Sequence, residues 1–313
     1  MSVPITITGQ SGPIAGTLCR PRNATKIQVL VHGLSYGRYY WDLPYEPERY
    51  SYPKEANERG YATLAIDRLG IGKSWHPVSP LVNYDNNTSA VHQVIQAVRR
   101  GDLGGRFDKV VLIGHSLGSV IAYQEAGTYQ DVDAVVFTGA AHGADVMNVV
   151  RKIRLNAIPA ILDPKFTGQG YDPGYQTTRA GTRGDFYYPP NSDPKVIALD
   201  EKLKQTFNDV ELGTGSSYLG TSATKNAAAS PSKRINVPTF TINGDQDAFF
   251  CKGPVAADCS SSAALANYER PYFGPHAVVE AKVIPGAGHN LNLERSAPDS
   301  NKAILDFIDR HTR

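Results

Sequence analysis

The sequence has little of what marks membrane-spanning or nucleic-acid-binding proteins. It contains no run of about 18 or more apolar residues, so no helix is expected to span a membrane. Its 32 basic and 30 acidic residues leave a formal net charge of +2, which does not predict a nucleic-acid partner. Hydrophobic residues make up 41% of the 313 residues, enough to bury a full core. We therefore expect an ordinary globular protein with one large domain, or one domain with an insertion.

Cysteine is also scarce, and the three cysteines leave two arrangements open. Cys251 and Cys259 flank a loop that contains Gly253 and Pro254. A short loop of this kind can bring two Cα atoms to the ~5.5–6 Å that a disulfide needs. Two unpaired thiols would be the default in a reducing cytosol. We favour a Cys251–Cys259 bridge with Cys19 free.

The beginning of the chain, "MSVPITITGQ", lacks the charged start and apolar segment of a signal peptide. The protein is then either cytoplasmic or a mature form with a replaced start. Three glycosylation sequons, at Asn23, Asn86 and Asn87, fit export in a eukaryote, although such triplets also arise by chance. We expect a secreted protein, with a cytoplasmic one as the alternative.

Short apolar runs alternate with helical patterns along most of the chain. An opening pair, "VPITITG" and "IAGTLCRP", is typical of a β-hairpin. Buried strands are predicted in "KIQVLV", "YATLAI", "DKVVLIGH", "DAVVFT", "NVPTFTING" and "HAVVEAKVIP". Near-continuous apolar strands separated by helices predict an α/β fold, with a mostly parallel sheet covered by helices on both faces.

The alternation breaks between residues 142 and 234. This stretch has no clean strand pattern, is rich in proline, glycine and tyrosine, and contains one helical segment, "DPKVIALDEKLKQTF". We predict a core domain formed by residues 1–141 and 235–313, with an inserted lid at 142–234.

The pentapeptide "GHSLG", residues 114–118, matches the G-x-S-x-G pattern of a nucleophile elbow. It follows a predicted buried strand and opens a predicted helix, which is the context that the elbow requires. Small residues two positions either side of Ser116 allow a tight turn from which its hydroxyl projects. The amide of Leu117, at the helix N-terminus, can then donate to a developing oxyanion. The alternative is a glycine-rich turn with an incidental serine.

A second oxyanion donor is predicted in "VHGLSYG". Gly33 follows the strand "KIQVLV" and lets the chain bend, so the Leu34 amide can face the same site. A serine hydroxyl is a weak nucleophile, so a base and an orienting acid are expected later in the chain.

Five segments together, "VHGLSYG", "DRLGIGKS", "GHSLG", "NGDQDAFF" and "GAGHNLNL", resemble the α/β-hydrolase superfamily in its lidded esterase and lactonase branch. The resemblance covers nearly the whole chain outside the predicted lid. It implies an eight-stranded, mostly parallel sheet, a triad in the order serine, acid, histidine, and no metal or organic cofactor. The arrangement "AFFCKG…DC" is similar to secreted microbial members, which supports the disulfide.

The family order places the base after the nucleophile and the acid, at the end of the last strand. Of the eight histidines, only His276, His289 and His311 follow both. His276 precedes the strand "AVVEAKVIP", and His311 lies in the predicted terminal helix. His289 follows "VIPGAG", a glycine loop at the carboxyl end of that strand, so we predict that it is the base.

In the family that the sequence resembles, the acid lies at the end of the preceding strand, commonly three residues after a glycine. Gly244 places it at Asp247, while Asp245 is expected to accept from backbone amides in the turn. Asp145 is the alternative, because some hydrolases of this fold carry the acid after the strand before the lid. Asp67 in "DRLGIGKS" is expected to bind backbone amides and to have no catalytic role.

The loop after the oxyanion strand is unusually aromatic. Tyr36, Tyr40 and Trp41, together with Tyr187 of the predicted lid, are candidates to line an apolar pocket for a small-molecule substrate. Ordinary packing between this loop and the lid is the alternative. Paired lid tyrosines also occur in epoxide hydrolases of this fold, but those enzymes use an aspartate nucleophile where this chain has Ser116.

The sequence thus predicts a serine hydrolase that cleaves a carboxylic ester or lactone through an acyl-enzyme on Ser116, with His289 and Asp247. One alternative keeps the same residues but transfers the acyl group to an alcohol or amine, or acts as a cofactor-free lyase. The other is a non-catalytic small-molecule binding protein on a hydrolase fold, which an intact Ser116, Asp247 and His289 disfavours.

Overall fold

The computed structural model is built around an eight-stranded sheet, as the sequence predicts. It describes residues 1–211, 213 and 230–312. The order of strands in the sheet is β1-β2-β4-β3-β5-β6-β10-β11. These strands are β1 (Ser2–Ile7), β2 (Gln10–Cys19), β3 (Lys26–Val31), β4 (Ala62–Ile66), β5 (Lys109–His115), β6 (Ala134–Thr138), β10 (Thr239–Gly244) and β11 (Val279–Ile284).

The first two strands form the predicted hairpin, with Ile7 opposite Gln10 across its turn. Strand β2 pairs antiparallel with β4, and all pairs from β4 through β3, β5, β6 and β10 to β11 are parallel. Strands β4, β6 and β10 are buried at every position, so both faces of the sheet are covered. Strands that are buried on both faces are continuous apolar runs in the sequence, which explains why they could be predicted from it.

Eight α-helices of the described residues accompany the sheet. They are α1 (Pro47–Tyr50), α2 (Tyr52–Glu58), α3 (Tyr84–Arg100), α4 (Leu117–Tyr129), α5 (Val146–Lys152), α6 (Pro194–Leu203), α7 (Ser262–Glu269) and α8 (Ala297–His311). Helix α3 shows why the chain folds this way. The side chain of Asn83 caps its first turn by accepting from the Asn86 amide, Gly101 ends it in the left-handed region, and its apolar stripe is buried.

The segment between β6 and β10, residues 142–234, is called the insert below. It contains α5, α6 and a separate antiparallel sheet of β7 (Ala157–Pro159), β8 (Tyr175–Thr178) and β9 (Phe207–Asn208). The structure therefore contains three short strands in a stretch where the sequence shows no clean strand pattern. Strands this short carry too few residues to show an alternating pattern. Residues 212 and 214–229 of the predicted lid lie outside the described residues.

The candidate functional residues follow the carboxyl ends of three parallel strands. Ser116 follows β5, Asp247 lies in the turn after β10, and His289 lies in the loop after β11. The carboxyl ends of parallel strands meet at one edge of a sheet, where open α/β folds place their ligands. No helix within the described ranges is both long and apolar enough to cross a bilayer.

Candidate active site

Ser116 sits at the turn between β5 and α4 with φ 53° and ψ −120°. A residue other than glycine rarely adopts a positive φ, because its Cβ crowds the backbone. Here the turn is held by its own amide, which donates to the carbonyl oxygen of Thr138 at 2.8 Å. The side chain remains partly exposed while its neighbours are buried. The hydroxyl therefore projects from a strained, fixed turn, as the predicted elbow requires.

The glycine at position 118 allows α4 to approach strand β3 directly. A Cβ atom on Gly118 would lie 2.3 Å from the carbonyl oxygen of Val31 and 2.7 Å from that of His32. Any side chain here would push α4, and with it Ser116, away from the end of β3. The pentapeptide pattern thus reflects a packing requirement as well as a tight turn.

The structure brings Ser116, His289 and Asp247 together in one chain of contacts. Nε2 of His289 lies 2.9 Å from Oγ of Ser116, and Nδ1 lies 2.9 Å from Oδ2 of Asp247. Asp247 is fully buried and His289 is only 4% exposed. An ionised carboxylate beside Nδ1 favours the tautomer that carries its proton there, which leaves Nε2 free to accept the proton of Ser116.

The other oxygen of Asp247 is satisfied by the turn in which the residue lies. Oδ1 accepts from the amides of Phe249 at 2.8 Å and Phe250 at 3.2 Å. Both rings also contact His289, that of Phe249 edge-on at 4.7 Å between centroids and that of Phe250 at 5.8 Å. The carboxylate and the imidazole are therefore fixed by backbone and aromatic packing as well as by each other.

The two rejected aspartates have structural partners. Asp245 accepts from the Gly286 amide at 2.7 Å, so it binds a backbone amide as predicted, but one in the loop after β11 and not in its own turn. Asp145 caps α5, accepting from the Asn148 amide at 3.1 Å. Within the described ranges, no hydrogen bond or ion pair joins Asp145 to His289, so Asp247 remains the acid that we propose.

Two backbone amides near Ser116 are available for a ligand. Within the described part of the chain, no group accepts a hydrogen bond from the amides of Leu34 or Leu117. Gly33 brings the first of these close, because a Cβ atom on it would lie 3.0 Å from Cβ of Ser116. A buried amide without a partner is costly, and a negatively charged oxygen would satisfy both. Their use as an oxyanion hole stays a prediction.

Comparison with known proteins agrees with this geometry. Residues 28–299 match the model of a family described as the alpha/beta hydrolase family. This chain belongs to that family. The matched residues include the strands from β3 onwards, the three residues Ser116, His289 and Asp247, and the amides of Leu34 and Leu117. Family membership supports hydrolase activity.

Solved structures with this α/β-hydrolase fold cover almost the full chain. A thermophilic esterase from Thermogutta terrifontis is 17% identical with a TM-score of 0.60, over 99% of this chain and 98% of that one. The enol-lactonase from Burkholderia xenovorans LB400 is also 17% identical with a TM-score of 0.60, over 98% and 99%. An esterase from Exiguobacterium antarcticum is 15% identical with a TM-score of 0.63, over 99% and 100%. No curated protein matches the sequence.

The loop of this α/β hydrolase that carries Leu34 is held by buried polar groups. His32 accepts from the Arg68 amide through Nε2 at 3.1 Å, and its Nδ1 lies 2.9 Å from the carbonyl oxygen of Gly33. Burial and the nearby guanidinium of Arg68 lower the pKa of His32 well below its usual value, so the ring is neutral and donates from Nδ1. Asp67 accepts from the amides of Arg38 and Lys73, which confirms its predicted structural role.

Two of the four predicted substrate-binding aromatics, Tyr36 and Tyr187, have their hydroxyl groups in use, whereas Nε1 of Trp41 is buried without a hydrogen-bond partner among the described residues. Tyr36 donates to Oδ1 of Asn290 at 2.9 Å, and Tyr187 donates to Asp200 at 2.8 Å. The ring of Tyr40 stacks on His115 at 4.0 Å between centroids. Trp41 is fully buried against the rings of Tyr40 and Tyr52. A direct contact between these side chains and a substrate stays a prediction.

His115, the second residue of the pentapeptide, is buried between the site and the core. Its ring lies 5.0 Å from that of His289, and Nδ1 is 3.2 Å from Oγ1 of Thr138. Burial and the neighbouring His289 lower the pKa of His115 well below its usual value. A neutral His115 therefore places no positive charge beside the ring of His289.

The sequence did not reveal a buried ion pair within the insert, next to the loop that carries Leu34. Arg183 and Asp200 are fully buried, and Nε and Nη2 of Arg183 donate to the two oxygens of Asp200 at 3.0 and 2.8 Å. The same carboxylate accepts from Tyr39 and Tyr187, at 2.8 Å each. Both partners of the pair lie in a stretch without a recognisable motif, so no local signal marks them.

Glu294 makes a second connection that the sequence did not reveal. Its carboxylate accepts from the Gly288 amide at 2.7 Å, from the Tyr188 amide at 2.9 Å and from Nδ2 of Asn191 at 2.9 Å. Gly288 immediately precedes His289, while Tyr188 and Asn191 belong to the insert. Glu294 therefore ties the histidine loop to the insert.

A second serine, histidine and carboxylate set occurs elsewhere in the core. Nδ1 of His142 lies 2.7 Å from Glu269, and Nε2 lies 2.8 Å from Oγ of Ser232. All three side chains are buried, and Ser232 also donates to the carbonyl oxygen of Tyr272. Because these three side chains are almost completely buried, we interpret the set as a polar link between the two ends of the insert and α7.

The predicted disulfide is confirmed. Cys251 and Cys259 are joined, with their Cα atoms 5.4 Å apart, and Cys19 is free. The amide of Cys251 donates to the carbonyl oxygen of Asp247 at 3.0 Å. The cross-linked loop therefore begins one turn after the candidate acid.

Proposed function

We propose that this protein is a serine hydrolase that cleaves a carboxylic ester or a lactone through an acyl-enzyme on Ser116. The observation that carries the proposal is the chain of two 2.9 Å contacts from Asp247 through His289 to Ser116. The chain lies at the carboxyl edge of the sheet, and its serine is the only one of the three that is not buried.

In the first half of the reaction, Oγ of Ser116 attacks the carbonyl carbon of the substrate. Nε2 of His289 accepts the hydroxyl proton as the bond forms, and Asp247 stabilises the resulting imidazolium. The proton then passes from Nε2 to the leaving alkoxide. An ester releases an alcohol in this step, whereas a lactone opens and keeps its new hydroxyl on the acyl group.

The negative oxygen of the tetrahedral intermediate is assigned to the amides of Leu34 and Leu117. The absence of other acceptors for these amides among the described residues supports this assignment. The Leu117 amide also begins α4, so the helix dipole adds a favourable field. Each such donor contributes about 3–4 kcal/mol to transition-state stabilisation in comparable sites.

In the second half of the reaction, water takes the place of the alcohol, and the steps of acylation run in reverse order. His289 takes a proton from water, hydroxide attacks the acyl carbon, and Oγ of Ser116 leaves with the proton from Nε2. An ester or lactone is the proposed class because similar folds include proteins named as esterases and an enol-lactonase.

The insert is proposed to act as a lid over this site. It reaches the loop of Leu34 through the bond from Arg183 to Ser35, and the loop of His289 through Glu294. Contacts with both loops would let the insert control the shape of the acyl pocket. Tyr36 and Tyr187, which lie at these junctions, are the proposed pocket residues.

The disulfide supports the proposal that the protein works in an oxidising compartment, since such bonds rarely persist in the cytosol. Of the sequon residues, Asn23 is exposed, whereas Asn87 is fully buried and donates to Glu211. If the protein is glycosylated, Asn23 is the expected position, and peptide mapping after glycosidase treatment would identify it.

A panel of p-nitrophenyl esters of increasing acyl length and a panel of γ- and δ-lactones test the proposal. We expect turnover of at least one panel by the wild type and none above background by Ser116→Ala. Adding an alcohol acceptor distinguishes the outcomes, because an acyltransferase would yield the new ester in preference to the acid. A folded wild type that turns over neither panel would contradict the proposed substrate class.

A further inference from the structure

A cluster of three potential metal ligands lies at the end of α4 that is distant from Ser116. His92 comes from α3, Glu125 from the last part of α4, and Asp131 from the turn that follows. Nδ1 of His92 is 2.9 Å from Oδ2 of Asp131 and 3.5 Å from Oε1 of Glu125. One ligand atom from each residue lies within 4.8 Å of the others.

Glu125 is the unusual member of this cluster. Its side chain is fully buried, and among the described residues neither of its carboxylate oxygens has a hydrogen-bond partner outside the cluster. Oδ1 of Asp131 is buried and unpartnered as well. A buried carboxylate without such donors costs free energy, and a bound cation would offset that cost.

The position of the cluster at the C-terminal end of α4 also favours a bound cation. Glu125 is in the C-terminal half of α4 and Asp131 lies just beyond its end. The C-terminal end of a helix carries partial negative charge, which is unfavourable for carboxylates and favourable for a cation. A cation between the two acidic groups would therefore be favourable at this end of α4.

We propose that His92, Glu125 and Asp131 bind a divalent transition-metal cation of the Zn²⁺ class. Zinc binds imidazole nitrogen at ~2.0–2.1 Å and carboxylate oxygen at ~2.0–2.2 Å, so ligand atoms around it lie about 3.3–3.5 Å apart in tetrahedral geometry. The separations of 2.9 and 3.5 Å need only small side-chain shifts to meet this geometry. One imidazole among the ligands favours zinc over calcium or magnesium, which prefer oxygen alone.

Neighbouring side chains hold the ligands in place. The ring of Tyr129 stacks on that of His92 at 3.6 Å between centroids. Gln96 donates to Oδ2 of Asp131 at 2.6 Å, and Arg99 donates to the carbonyl oxygen of Asp131 at 3.1 and 2.8 Å. Hydrogen bonds and packing around the ligands orient them and are typical of metal sites in proteins.

The cluster is accessible from one side. The side chains of His92 and Asp131 are 23% and 15% exposed, while that of Glu125 is not exposed at all. An ion can therefore enter from solvent and keep water as its fourth ligand. The site lies roughly 13 Å along α4 from Ser116, at ~1.5 Å per residue. The bound ion would fasten α3 to the end of α4 independently of the chemistry at Ser116.

Zinc titration of the metal-stripped protein tests the inference. We expect one Zn²⁺ per chain by mass spectrometry of the metal content, and a rise in Tm of about 5 °C at a hundredfold excess over Kd. Glu125→Gln and His92→Ala should each weaken the affinity at least tenfold, and calcium should produce no comparable shift. His276→Ala removes an exposed histidine and should bind like the wild type.

Glu125→Gln is expected to fold, because it removes a buried charge and keeps the shape of the side chain; His92→Ala provides the test if it does not. A folded wild type that binds no zinc at 100 µM would overturn the inference. Equal affinity in wild type, Glu125→Gln and His92→Ala would also overturn it, because the ion would then bind elsewhere.

Discussion

Arg183 of the insert donates from Nη1 to Oγ of Ser35 at 2.6 Å. Ser35 directly follows Leu34, whose amide we assign to the oxyanion hole. The guanidinium also lies over the ring of Tyr36, 4.1 Å from its centroid. One fully buried arginine thus joins the insert to the loop on which transition-state stabilisation is proposed to depend.

Replacing this arginine tests whether the insert positions the loop. Arg183→Met should reduce kcat at least tenfold and lower the free energy of unfolding by about 3–5 kcal/mol, because it leaves the carboxylate of Asp200 buried without its partner. Arg154→Met is the matched control in the insert, since Arg154 is 54% exposed. Its unfolding free energy should change by less than about 0.5 kcal/mol.

Ester kinetics and urea unfolding of both variants provide the measurements. The double variant Arg183→Met with Asp200→Leu removes the buried charge pair and should recover much of the stability. If it recovers kcat as well, the arginine stabilises the fold and does not position the loop.

Asp247→Asn should lower kcat about 10⁴-fold while the protein remains folded, because the amide no longer favours the catalytic tautomer of His289. Asp145→Asn is the matched control. It alters the cap of α5 and should cost about 1 kcal/mol or less of stability with nearly full activity. If Asp145→Asn instead shows the larger loss of kcat, the acid has been assigned to the wrong residue.

Removing the disulfide should cost about 2.5 kcal/mol of unfolding free energy, the value expected for a loop with a sequence separation of 8. Cys251→Ser combined with Cys259→Ser is compared with the wild type by urea unfolding, and Cys19→Ser serves as the control. We expect activity to fall less than tenfold, because Asp247 lies before the cross-linked loop. A midpoint identical to that of the wild type would contradict a stabilising role.

The pH dependence of stability tests the environment of Glu125 without metal. Its pKa is about 8 in the folded protein against an ordinary value of 4.5, because of burial. Between these values the folded state holds a proton that the unfolded state has lost. The free energy of unfolding therefore falls as pH rises, by up to about 1.4 kcal/mol per pH unit. Nearby carboxylates raise the pKa of His92, which acts in the same direction.

The measurement is urea unfolding between pH 5 and pH 8.5 with a chelator present. Glu125→Gln should show a shallower slope than the wild type, while Glu48→Gln, with a carboxylate that is 79% exposed, should not. The facing groups, His92 and Asp131, are unchanged in both variants. Equal slopes in wild type and Glu125→Gln would show that Glu125 ionises normally.

The sequence predicted the strands and Ser116 because each has a local signature. Buried parallel strands such as β5 are continuous apolar runs, and Ser116 follows one inside a recognisable turn. His289 and Asp247 were placed by family order, which the parallel topology explains, since each follows the carboxyl end of a strand.

The contacts between the insert and the loops of the candidate active site could not be predicted in the same way. Arg183 contacts Ser35 across 148 positions of sequence, and Glu294 contacts Tyr188 across 106. Such pairs depend on how the insert folds back on the core, and its strands of two to four residues leave no periodic pattern. Long-range contacts of this kind have no signature within a window of sequence.

Labelling with a fluorophosphonate, followed by peptide mapping, tests the central claim most directly. An activated serine beside His289 should be modified in the wild type, on the peptide that contains Ser116, and the label should be lost in Ser116→Ala. Ser232, which is buried beside His142, should remain unlabelled in the folded protein. A folded wild type that is not labelled, or is labelled on another serine, would contradict the account of Ser116 as the nucleophile.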